Sequence, residues 1–61
     1  MPEMITLVYE ESGFDSVLAT LFSFEEREVW IPNSLIEDKN NETVTVPLWF
    51  AEQEELEIYE A

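Results

Sequence analysis

Fifteen aspartates and glutamates face only two basic residues, Arg27 and Lys39, in a chain of 61 residues, giving a net charge of −13. Ion pairing can neutralise little of such a surface, so apolar side chains must hold the folded state against self-repulsion. They are present in number: 46% of the chain is hydrophobic and eight residues are aromatic. That is not the composition of a disordered acidic tail. The expectation is one small domain over residues 1–61, built on a thin core. Domains of this length commonly have a stability of roughly 3–5 kcal/mol unless stapled or assembled.

The chain contains no cysteine. Disulfides, thiolate metal sites and a nucleophilic thiol are therefore excluded, and a reducing, cytoplasmic setting is favoured. No segment approaches the ~20 apolar residues needed to cross a membrane, and Met1–Glu3 lacks the basic start of a signal peptide. A protein working away from membranes is expected.

Period-two alternation dominates the pattern. In Met4–Glu10, Ile5, Leu7 and Tyr9 alternate with Thr6, Val8 and Glu10, as in a half-buried strand. Glu11–Asp15 reads as a turn around the single glycine, Gly13, free to take positive φ. Ser16–Phe24 suits either a helix capped by Asp15 or a strand. The strand is favoured because Glu25-Glu26-Arg27 then makes a hairpin turn into a third strand, Glu28–Pro32. Asn33–Glu37 predicts a turn or one-turn helix, and Asp38–Asn41 a polar loop. Thr43–Val46 alternates as a fourth strand, and Pro47 suits the first turn of a helix over Leu48–Leu56, with Trp49 and Leu56 on one stripe. The fold class is α+β, mostly β: a small antiparallel sheet of three to four strands with one short C-terminal helix.

Catalysis has little to stand on, and no enzyme activity is expected. The chain has no His, no Cys and two basic residues, while fifteen acids in so short a sequence form carboxylate pairs by chance. Glu37–Glu42 offers oxygen ligands of the kind calcium takes. It lacks a glycine and the loop spacing of an EF-hand, so a solvated loop is the better reading and no metal or cofactor is expected. Both tryptophans are expected in the core. Of the adjacent pair Trp49 and Phe50, a helix buries one more than the other, and Phe50 is the candidate for an exposed anchor or dimer contact.

The charge itself is the functional signal. A chain of this size exposes about 4,100 Å², or about one net charge per 320 Å², against roughly one per 110 Å² for B-DNA. The acids fall in clusters, including Glu25-Glu26-Glu28 and Glu52-Glu54-Glu55-Glu57. Carboxylates on one strand face lie about 6.7 Å apart, comparable with the spacing of phosphates along DNA. A basic protein partner is favoured, and direct binding to nucleic acid or an anionic membrane is disfavoured. The candidate contacts are Glu25, Glu26, Glu28, Glu52, Glu54, Glu55, Glu57 and Phe50, on a monomer or weak homodimer.

Glu28-Val29-Trp30-Ile31-Pro32-Asn33-Ser34-Leu35-Ile36 and Val44-Thr45-Val46-Pro47-Leu48-Trp49-Phe50-Ala51 resemble a family of small phage and prophage proteins with a VWIP-Lys-Ser … VTVP-x-W pattern. Asn33 stands where that pattern has Lys. The size, acidity and lack of Cys and His also look like phage-encoded DNA mimics of the anti-restriction and anti-CRISPR kind. These resemblances imply an inhibitor in a bacterial cytoplasm that occupies the basic DNA-binding groove of a host defence complex. An anti-CRISPR protein, blocking target-DNA or PAM recognition by an effector subunit, is favoured. The alternatives are a phage replication or recombination accessory docked on a basic protein, or an acidic antitoxin-like partner of a basic toxin.

Overall fold

The computed structural model describes residues 3–61, so the reading of the Met1–Glu3 start rests partly on residues 1 and 2, outside the described part. Among the described residues, six strands form two antiparallel three-stranded sheets. In the first sheet β1 (Met4–Val8), β6 (Thr43–Pro47) and β5 (Asp38–Lys39) lie in the order β1-β6-β5. The second is a meander of β2 (Glu11–Asp15), β3 (Ala19–Ser23) and β4 (Glu28–Pro32). A 3₁₀ turn at Asn33–Leu35, the helix α1 (Leu48–Gln53) and a 3₁₀ turn at Glu57–Tyr59 complete the chain. The class is the expected one, mostly β with a short helix, but the strands divide between two sheets.

Register follows from alternation. Ile5 pairs with Val46 and Leu7 with Val44, and all four are buried. In the other sheet Phe22 pairs with Val29 and Thr20 with Ile31, again buried. A slip by one residue would turn each set to solvent, at a cost of about 1.5–3 kcal/mol for each large side chain exposed. The Tyr9 ring meets Phe22 edge-on at 4.8 Å and joins the two sheets into one core. Its hydroxyl donates to the Asn40 carbonyl. The C-terminal segment closes the free edge of β1, where Glu60 bridges Leu7 and the Ala61 amide donates to the Thr6 carbonyl at 2.9 Å.

Within Ser16–Phe24 the favoured strand forms over Ala19–Ser23, and the turn at Glu25–Arg27 closes with the Phe24 amide donating to the Arg27 carbonyl at 2.7 Å. Glu11–Asp15 departs from expectation. It is a strand, not a turn, with a bulge between Ser12 and Asp15 against β3, and Gly13 has no positive φ. The reversal comes later, at Ser16. Its hydroxyl donates to the Ala19 carbonyl and accepts from the Leu18 and Ala19 amides, supplying the turn chemistry assigned to the glycine. Two residues of the expected polar loop, Asp38 and Lys39, pair as β5 with β6.

The helix is shorter than Leu48–Leu56. It ends at Gln53 in a Schellman cap: the Leu56 amide donates to the Ala51 carbonyl at 2.7 Å, and the Glu55 amide to the Glu52 carbonyl at 3.2 Å. Glu55 takes the left-handed position, φ 58°. Leu56 is buried by this reversal and not by a helical stripe. The aromatic assignment inverts as a consequence. Phe50 and Ala51 face the core, Phe50 only 6% exposed, while Trp49 and Trp30 stand 51% exposed. Phe50 is therefore withdrawn as a surface contact and both tryptophans as core residues. In a six-residue helix entered from the buried pair Val46 and Pro47, the preceding strand sets which side faces inward.

Candidate partner-binding surface

The two acidic clusters named from the sequence are joined at one contact, Arg27 with Glu54. Glu25 and Glu26 sit on the β3–β4 turn and Glu28 opens β4, all exposed. Glu52, Glu54, Glu55 and Glu57 occupy the end of α1 and the reversal after it, with Glu54 half-buried and the others exposed. Arg27 ties the groups together. One guanidinium nitrogen donates to the Glu54 carbonyl at 2.7 Å, and the other lies 3.8 Å from the Glu54 carboxylate. The Phe24 and Tyr59 rings stack at 4.9 Å, which holds the C-terminal 3₁₀ turn against the hairpin. The single base in the cluster thus serves as a clip, and the Glu54 carboxylate is already engaged with it.

Residues outside the expected set join the same end. Glu10 and Glu60 line a shallow hollow of about 240 Å³ together with Glu25, Ile58 and Tyr59. Glu11 and Glu28 both stand opposite Ser23 across the meander, two strand spacings or roughly 10 Å apart. The Ser23 hydroxyl donates to Glu28 at 3.3 Å. Glu10, Glu11 and Glu60 were visible as acids, but their placement depends on long-range pairing that no local pattern reports.

The other base is placed differently. Lys39 lies over the Phe22 ring at 5.7 Å from its centroid and lines an open hollow of about 500 Å³ with Tyr9, Glu10, Glu11, Ser12, Asn40 and Asn41. In the adjoining loop Asp38 accepts from the Lys39 amide, and the Asn40 side chain accepts from the Glu42 and Thr43 amides. These oxygens are spent on shaping the turn. Among the described residues no group of three or more carboxylates converges as metal ligands would, and no helix is long and apolar enough to cross a membrane.

Asn33, marked in the sequence only as a departure from the resembled pattern, organises the opposite end. The Asn33 side-chain nitrogen donates to the Ser16 carbonyl at 2.9 Å and the Val17 carbonyl at 3.3 Å, and its amide to the Leu18 carbonyl at 2.9 Å. Its side-chain oxygen accepts from the hydroxyl of Thr20, the buried polar residue of the core, at 2.7 Å. Asparagine supplies donor and acceptor together, which the lysine of the resembled pattern could not.

Comparison with protein-family models, with curated proteins and with solved structures finds no match, so the likeness to small phage proteins rests on its motif residues alone.

Proposed function

We propose that this protein is a DNA-mimic inhibitor that presents a carboxylate face to the basic DNA-binding groove of a host defence complex, with a CRISPR effector the favoured target. The observation that carries the reading is the Arg27–Glu54 clip, which ties the turn bearing Glu25, Glu26 and Glu28 to the segment bearing Glu52, Glu55 and Glu57. Thirteen net charges on 4232 Å² of accessible surface average about one per 330 Å², and crowding onto half the surface brings this within a factor of two of the roughly one per 110 Å² of B-DNA. Such a field steers a basic partner into contact at rates that fall steeply with salt.

The test uses a purified guide-loaded effector and a labelled target duplex at low and high salt. The reading expects stoichiometric loss of duplex binding at low salt. It also expects at least tenfold weaker inhibition by the triple variant Glu25→Gln, Glu26→Gln, Glu28→Gln, with circular dichroism unchanged. Equal inhibition by that variant, or no inhibition of effectors of this class by the wild-type chain, would overturn it.

A further inference from the structure

Charge is distributed unevenly along the meander. Residues 12–24 hold a single charge, Asp15, and residues 29–36 hold none. Outward from the acidic turn, the exposed face runs from the Ser23–Glu28 row to Leu21–Trp30 and then Ala19–Pro32, about 13 Å from the first row to the last. That distance exceeds the Debye length of about 8 Å at physiological salt.

Beyond this face stands the β2–β3 tip. Val17 is 94% exposed, Leu18 80% and Phe14 75%, with Trp30 half-exposed on the sheet. The tip is not a loose loop. Ser16 caps it from within, and Asn33 grips three of its carbonyls from the end of β4. The backbone that carries Val17 and Leu18 is thus fixed, which lowers the ordering cost of burying them in a contact.

We infer that this end, whose one charge is Asp15, is a self-association surface and that its occupant is a second copy of the chain. Charge selects the partner. A basic protein is drawn to the acidic end and gains nothing electrostatic at the tip, and an anionic membrane repels a chain of this charge. Two copies, each carrying −13, can approach with least repulsion only where the charge is lowest. Area fits a weak dimer. The exposed area of the four residues sums to on the order of 500 Å². Two copies face to face would cover about 1,000 Å², the lower bound for a specific interface. The dimer would present an acidic end at each extremity.

Sedimentation velocity of the full chain from about 5 µM to 1 mM, in 20 mM and 500 mM NaCl, tests this. The expected result is a concentration-dependent doubling of mass that strengthens in high salt, where repulsion is screened, by tenfold or more in the dimerisation constant. Leu18→Asp should abolish it. Val17→Ser, which leaves every hydrogen bond of the tip in place, should weaken it at least fivefold, with circular dichroism confirming the fold of both variants. A wild-type chain that stays monomeric at 1 mM and 500 mM NaCl overturns the inference and leaves the tip to a different protein. A dimer that survives Leu18→Asp in a folded variant overturns it too. Neither outcome bears on competition with DNA at the acidic end.

Discussion

Arg27, on the β3–β4 turn, donates to the backbone carbonyl of Glu54 at 2.7 Å, while the ion pair between the same two residues is looser, at 3.8 Å. Both side chains are about one-third exposed, so solvent screens the ion pair and the carbonyl contact should carry most of the stabilisation. Arg27→Ala is expected to lower stability by about 0.5–1.5 kcal/mol in urea unfolding. Glu54→Gln, which keeps the carbonyl acceptor, should cost under about 0.5 kcal/mol. Equal losses from the two would place the stabilisation in the carboxylate.

Glu55 is held at φ 58° in a position where glycine is the ordinary choice. Glu55→Gly is expected to raise stability by about 1 kcal/mol by relieving the left-handed strain. If its carboxylate contacts the partner, the same variant should bind less well. A more stable protein with weaker binding is the signature to look for, read from thermal melts and inhibition titrations on the same samples.

Asn33→Ala removes a donor from two carbonyls of the tip and the acceptor of the buried Thr20 hydroxyl. The expected loss is about 1–3 kcal/mol, dominated by the orphaned hydroxyl. Hydrogen exchange at the Leu18 and Ala19 amides should quicken well beyond the change expected from global stability.

Gly13 is a strand residue whose added Cβ would meet Leu21 Cδ2 at 3.5 Å, an ordinary contact, and its φ is not positive. Gly13→Ala should therefore stabilise by about 0.4–1 kcal/mol, by restricting the unfolded chain. A destabilised variant would show that the bulge needs glycine after all.

The sequence disclosed these elements unevenly, for physical reasons. Ile5 and Leu7, Val29 and Ile31, and Val44 and Val46 alternate because one side of each strand is buried, and that burial is written locally. The bulged β2 was hidden because glycine and acids are poor strand formers, and pairing with β3 overrode that preference. The end of α1 was hidden because its left-handed cap is Glu55 and not glycine, so nothing announced the reversal that buries Leu56 and turns Phe50 inward in place of Trp49. The acidic residues were plain as a list. Their joining was not, because it depends on Arg27 reaching a residue 27 positions away and on Phe24 stacking against Tyr59.

The most direct test of the central claim is whether DNA and this protein exclude one another on a basic partner. A guide-loaded effector is titrated with labelled target duplex at several fixed concentrations of the protein, in low salt. The account predicts that the apparent Kd for DNA rises in proportion to protein concentration without a plateau, as for one shared groove. A plateau, or a ternary complex carrying both ligands, would contradict it.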